Sequence, residues 1–143
     1  MVPAIGHNDL KKRLAAAPIF SECSGRELDA VVREVDLQEV EAGTVLAEQG
    51  AAGDSFFVIL DGRAEVRRHG RPVATLEPGA FFGELALLDP APRDAAVVAT
   101  TPLTVARLGQ GPFRQLLVDL PAMNGSLLRA LARRLREADF RDF

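Results

Sequence analysis

Phe81-Phe82-Gly83-Glu84-Leu85-Ala86-Leu87-Leu88-Asp89-Pro90-Ala91-Pro92-Arg93-Asp94-Ala95-Ala96-Val97 sets one turn of helix-forming residues, Glu84 to Leu88, inside a segment otherwise built of short β-prone runs. Pro90 and Pro92 stop that turn and stiffen the return, because proline lacks an amide hydrogen and restricts the residue before it. A helical turn that disagrees with its surroundings tends to mark a functional site. Gly83 has no Cβ, so backbone there can approach a ligand closely. The first amide hydrogens of a helical turn lack internal partners and favour an anion. Arg93 arrives from the far side with a planar, permanently charged fork suited to phosphate oxygens. Glu84 can only accept hydrogen bonds at neutral pH, so beside an anion it needs a donor such as a sugar hydroxyl. A ligand with a phosphate and a ribose hydroxyl a few ångströms apart answers both residues. Taken singly, an arginine is ordinarily a solvated surface residue and a Gly-Glu pair a turn before a helix; their joint spacing carries the reading.

Outward from this stretch, residues 35–108 are punctuated by Gly43, Gly50, Gly53, Gly62, Gly70, Gly79 and Gly83. Between the glycines lie the β-prone runs Thr44–Ala47, Ser55–Leu60, Ala64–Arg68, Pro72–Leu76, Ala95–Ala99 and Leu103–Leu108. Strands at spacings of about 8–12 residues argue a small sandwich, jelly roll or barrel. Asp61-Gly62 is a tight-turn signal, and His69-Gly70 a weaker one. Gly53-Asp54 reads as a turn at a strand entry.

Helical patterns flank the β segment. Asp9 is placed to cap a short helix carrying Leu10, Leu14 and Ala17, which Pro18 interrupts. Ser24 and Glu27 have capping-box spacing ahead of the apolar stripe Leu28, Val31, Val32 and Val35. Lys11-Lys12-Arg13 reads as a solvated helix face. Beyond the β segment, Gln110–Leu120 carries Phe113, Leu116, Leu117 and Leu120 on one face. Pro121 breaks or restarts the helix. Leu127, Leu128, Leu131, Leu135 and Ala138 then keep the helical period, with Arg129, Arg133, Arg134 and Arg136 between them. Gly125 weakens this helix and, with Pro121, is a hinge position.

Composition narrows the function classes. The chain has 143 residues, 48% of them hydrophobic, and a net charge of 17 − 20 = −3. That length fits one domain able to bury a core without a staple. The charge does not suit a general nucleic-acid binder. No run approaches the roughly 18 apolar residues of a membrane span, and no basic region followed by an apolar stretch marks a secretory signal. Cys23 is the one cysteine, which excludes an internal disulfide and fits a reducing, cytoplasmic setting. With only His7 and His69, the chain lacks the clustered ligands of a metal-dependent jelly roll. No Ser-His-Asp set or HExxH occurs. Glu84 and Asp94 could pass as an acid/base pair, but Arg93 beside them would hold both ionised, which opposes proton donation. The expectation is a non-enzyme, with no catalytic residue, metal or cofactor.

Phe82-Gly83-Glu84-Leu85-Ala86-Leu87 followed by Pro92-Arg93-Asp94-Ala95-Ala96-Val97 resembles the phosphate-binding cassette of cyclic nucleotide-binding domains. These occur in protein kinase regulatory subunits, cyclic-nucleotide-gated channels and bacterial catabolite-activator-type regulators. Gly53-Asp54-Ser55-Phe56-Phe57-Val58-Ile59-Leu60-Asp61-Gly62 resembles the glycine–aspartate strand signature of the same family, and the resemblance runs on into Phe113 and the last helix. It spans roughly residues 15 to 138. It implies an α+β, mainly β fold: an eight-stranded antiparallel β-roll or jelly roll with N-terminal helices, two C-terminal helices and a short helix in the cassette. One domain would cover residues 1–143, with an N-terminal helical part to about 34, the β-roll over 35–108 and C-terminal helices over 109–143.

The resemblance also implies residue roles. Gly83 would lie against the ligand with a free amide, Glu84 would accept the ribose 2′-hydroxyl, and Arg93 would pair with the cyclic phosphate. The amides of Ala86 and Ala95 would complete the cradle, and Leu85 would pack on the sugar or base. The last helix often acts as a lid in this family, which makes Arg133, Arg134 and Phe140 candidates to stack on the purine. Asp94 departs from the family, where a small or hydroxyl residue is usual. It could face the guanine edge, pair with a lid arginine or pin Arg93. The implied function is a ligand-gated sensor for cAMP in preference to cGMP. The alternatives are a ligand-free interaction scaffold, or the sensor domain of a truncated transcription regulator or channel. Implied partners are the cyclic nucleotide and either a protein or a second copy through the C-terminal helix. The chain itself has no element for reading DNA bases, and no membrane partner is expected.

Overall fold

The computed structural model describes residues 5–50, 53–88 and 95–139, with Leu85, Ala86, Ala138 and Asp139 described through their backbone. In chain order the elements are α1 (His7–Ala16), α2 (Gly25–Glu34), β1 (Asp36–Val40), β2 (Val45–Ala47), β3 (Ser55–Asp61), β4 (Ala64–Arg68), β5 (Arg71–Leu76), β6 (Phe81–Phe82), α3 (Glu84–Leu88), β7 (Ala96–Ala99), β8 (Leu103–Gly109), α4 (Gln110–Asp119) and α5 (Pro121–Asp139). The eight strands form two four-stranded sheets, ordered β1-β8-β3-β6 and β2-β7-β4-β5, and every pairing is antiparallel. This is the expected jelly roll with flanking helices.

β3 explains how the layers join. Successive side chains of a strand point to opposite faces. Phe56 and Val58 therefore enter a cluster shared with the helices, while Phe57 and Ile59 enter the cluster between the two sheets. Both faces are covered, so Ser55–Ile59 reads as an unbroken buried run rather than an alternating one. β6 divides in the same way, Phe81 to the helical cluster and Phe82 to the inter-sheet one. Phe57 and Phe82 stack with ring centroids 4.9 Å apart.

The turns follow from local chemistry. His69 and Gly70 have φ of 52° and 75°, as the two central residues of a tight hairpin require, and Arg68 pairs with Arg71 across it. Gln49 supports the strained His69 by accepting its amide hydrogen at 2.7 Å. Gly62 has φ of 88°, and a Cβ there would sit 2.2 Å from the Pro102 carbonyl oxygen, so this turn admits glycine alone.

The N-terminal helices match their spacing with one difference. α2 carries the full capping box: Ser24 Oγ accepts from the Glu27 amide at 3.2 Å, and Glu27 Oε1 accepts from the Ser24 amide at 2.8 Å. α1, however, starts at His7 with Gly6 at its N-cap. Asp9 lies inside the first turn instead, where its charge favours the positive helix end without closing it. Lys11 and His7 both reach Asp29 Oδ1 at 2.9 Å, tying α1 to α2. These two hydrogen bonds, His7 first and Lys11 second, lower the Asp29 pKa. Lys11 is therefore engaged within the fold.

Cys23, half-buried behind α2, has its thiol pushed up to about 11, by burial first and then by Glu27 and Glu22. The thiolate is the reactive form. Ellman's reagent should therefore modify Cys23 far more slowly than free cysteine at pH 8, with the rate climbing toward pH 11. Rapid modification at pH 8 in folded protein would contradict this environment.

Candidate functional site

The stretch from Phe81 leaves the β-roll through Gly83, whose φ of 97° no side-chain-bearing residue adopts comfortably. That reversal turns the chain from β6 directly into α3 and sets Glu84 at the start of the helical turn. Glu84 is 2% exposed, so its carboxylate is held inside the protein. A buried carboxylate persists only with donors around it. One is Arg134, on the fourth turn of α5, whose Nη1 donates to Glu84 Oε1 at 2.6 Å. Arg134 Nη2 also donates to the Phe81 carbonyl oxygen at 3.3 Å, and its guanidinium carbon lies 4.5 Å from the Phe81 ring centroid. One side chain from the last helix thus meets a charge, a carbonyl and a ring at the mouth of the cassette.

The far end of the turn is held from a different helix. Leu87 is fully buried in the helical cluster, with Phe113, Phe56 and Phe81 among its members. Phe113 stacks on Phe56 at 4.6 Å between centroids. Arg114, the next residue of α4, donates to the Leu87 carbonyl oxygen from Nη2 at 2.8 Å and from Nε at 3.3 Å.

The two C-terminal helices meet at Leu120. Proline disfavours helical backbone in the residue before it and suits the first position of a new helix. Leu120 accordingly ends α4 with φ of −118° and ψ of 89°, and Pro121 opens α5. Gly125 lies within continuous α5 helix, so the break between helices falls at Leu120-Pro121. Arg129 pairs with Glu22, fastening α5 to the connection between α1 and α2.

Of the residues selected from sequence, Gly83 and Glu84 stand together at the entry to α3, and Leu85 and Ala86 lie within that helix. Ala95 is half-buried immediately before β7. Arg93, Asp94 and Phe140 lie outside the described residues. Of the three lid candidates, Arg134 reaches the cassette from an exposed position on α5, and Arg133 beside it is exposed as well. Sequence reasoning did not single out Arg114. Its only local signal is adjacency to the core residue Phe113. Among the described residues, no group of three or more His, Cys, Asp or Glu could hold a metal ion, and no helix is long and apolar enough to cross a membrane.

Comparisons with known proteins agree with this geometry. The sequence profile described as "Cyclic nucleotide-binding domain" matches residues 37–119. A cAMP-dependent protein kinase regulatory subunit of Yarrowia lipolytica is 42% identical over 106 residues, covering 73% of this chain and 28% of that protein. The chain spans about a quarter to a third of the length of such curated relatives. Among solved structures, the Thermus thermophilus catabolite activator protein superposes with a TM-score of 0.80 at 31% identity, covering 87% of this chain and 61% of that one. The regulatory domain of Toxoplasma gondii PKA, crystallised with cAMP, gives 0.77 at 25% identity, covering 90% of this chain and 50% of that one. With more than half of its residues inside the matched profile and a two-sheet β-roll around the Gly83-Glu84 turn, the chain belongs to the cyclic nucleotide-binding domain family.

Proposed function

We propose that residues 1–143 act as one non-catalytic domain that binds a purine cyclic mononucleotide, cAMP in preference to cGMP, and passes its occupancy to the C-terminal helices. The observation that carries this reading is the buried carboxylate of Glu84, one residue beyond the left-handed Gly83. A carboxylate offers about four acceptor positions. A ribose 2′-hydroxyl would join Arg134 at this group, with Gly83 and the amides of Ala86 and Ala95 against the phosphate. Arg93 would supply the neutralising charge. Leu85 would pack on the sugar or base, and Asp94 would lie beside the phosphate site and bear on the choice of purine. The kinase regulatory subunits and the cAMP-containing structure among the relatives support cAMP as the first ligand to test. A single cysteine, which can form no internal disulfide, fits a cytoplasmic setting.

Gating follows from the same contacts. A ligand shifts a conformational equilibrium only through a difference in its affinity for the two states. Arg134 ties α5 to Glu84, so a ligand at Glu84 has different interactions when α5 is docked and when it is not. A protein partner or a second copy of the chain would read that change on α5.

Calorimetry with cAMP, cGMP and 2′-deoxy-cAMP tests the reading. Saturable heat with cAMP, and at least about tenfold weaker binding without the 2′-hydroxyl, are expected; that is the scale of one charge-assisted hydrogen bond. No heat with either purine nucleotide would overturn it. A second reading, a ligand-free scaffold, is favoured by Asp94 and by Leu128 and Leu135, which are 62% and 63% exposed on α5. A thermal-shift measurement separates the two, since only a ligand that binds the folded state raises the midpoint.

A further inference from the structure

α3 is five residues long, and a helix that short has too few internal hydrogen bonds to hold itself. Its position must come from outside. Its entry is held by Gly83 and by the Glu84–Arg134 pair. Its exit carries carbonyl groups without helical partners, and among these the Leu87 oxygen receives two donors of one guanidinium, Arg114 Nη2 at 2.8 Å and Nε at 3.3 Å. A planar fork fixes direction as well as distance, which a single ammonium cannot do. The fork projects from α4 beside Phe113, which is itself locked at 0% exposure against Phe56.

We infer that Arg114 is a positioning residue of the nucleotide site: by gripping the Leu87 carbonyl it sets the angle of α3, and so the placement of Gly83 and Glu84. This rests on the nucleotide reading above and extends it to a residue that would touch no ligand. It also gives the site a connection to α4 separate from the Arg134 connection to α5. A shift of α4 would drag the exit of the cassette helix directly, through the backbone of Leu87, while a shift of α5 would act on its entry.

The test uses Arg114→Met, which keeps an apolar stem and deletes the donors, and Arg114→Lys, which keeps a charge and one centre of donation. Hydrogen exchange is followed on peptides over 84–88, β3 and β8 in nucleotide-free protein, and cAMP affinity is measured by calorimetry. Arg114→Met should accelerate exchange over 84–88 by about tenfold, with β3 and β8 unchanged, and weaken cAMP by a similar factor, the scale of losing hydrogen bonds from a charged donor. Arg114→Lys should recover part of both. Wild-type affinity in Arg114→Met, or acceleration spread equally over β3 and β8, overturns the assignment, the second because it signals general loss of stability. Wild-type protein that binds neither cAMP nor cGMP would remove the nucleotide reading alone. Arg114 would then stand as the anchor of α3 on local acceleration over 84–88, and fall without it.

Discussion

Arg93→Ala is expected to weaken cyclic nucleotide binding by at least about 30-fold, equivalent to about 2 kcal/mol or more. A cyclic phosphate keeps one negative charge when it leaves water for a groove. The loss on truncation includes the cost of leaving that charge without its partner, which exceeds the net worth of the pair. Arg93→Lys should fall between the two, because an ammonium restores charge but not the two-donor fork. Calorimetry on wild type and both variants checks this, with thermal unfolding of the nucleotide-free proteins as the control for folding. Equal affinity in all three would remove Arg93 from the site and leave the phosphate to the backbone amides. The companion comparison is Asp94→Ala against both purines. A gain for cAMP and cGMP alike would mark Asp94 as repulsive to the phosphate, and a selective loss for cGMP would mark it as a guanine contact.

Phe113→Ala should destabilise the domain by about 3–5 kcal/mol, a large share of a typical total of about 5–15 kcal/mol. Phe113 is fully buried, stacks on Phe56, and lies in the cluster that joins the N-terminal helices, the β3 face and the C-terminal helices. Removing the ring leaves a cavity that backbone from three directions cannot close. Phe113→Leu should cost much less, since most of the apolar volume remains. Urea unfolding of the nucleotide-free protein gives both values. A cost within about 0.5 kcal/mol for Phe113→Ala, the range of ordinary surface substitutions, would show that the cluster is not the mechanical centre of the fold. The same cluster contains Leu87, so the ring that stabilises the domain also backs the cassette helix. Under the proposed nucleotide reading, stability and ligand response would share one set of contacts in this protein.

The features legible in the chain are those whose cause is local. Six β-prone runs became strands with ends shifted by at most about a residue or two, the usual scatter of boundaries. The Ser24–Glu27 box, the helix restart at Pro121 and the Gly83-Glu84 turn were likewise readable, because each depends on residues within one turn of one another. Two strands were not singled out. β1 is Asp-Leu-Gln-Glu-Val, half-buried at most, and is extended because its five residues pair in register with β8. β6 is two phenylalanines, too short to carry a period, and is a strand because Phe57 and Val58 pair with it. Asp9 was misplaced as a cap because α1 begins two residues earlier, with Gly6 at the N-cap.

The cassette shows the division most plainly. Gly83 and Glu84 were marked by their spacing to Pro92-Arg93 and by their place in a helical turn set among β-prone runs, whereas the burial of Glu84 emerged only with packing. Which arginine meets Glu84 was open, with Arg133 and Arg134 differing by one position on a helix. The answer depends on the rotation of α5 against the β-roll, set by Met123 and Leu127 in the helical cluster and by Arg129 on Glu22. One residue is about 100° of helical rotation, enough to carry a guanidinium from solvent to the Phe81 ring. The grip of Arg114 on Leu87 was equally invisible, because its acceptor is a backbone carbonyl 27 residues away that leaves no mark on residue identity. Chemistry and local conformation are written into short stretches of chain, whereas contacts between distant stretches exist only after packing has fixed how the elements are turned toward one another.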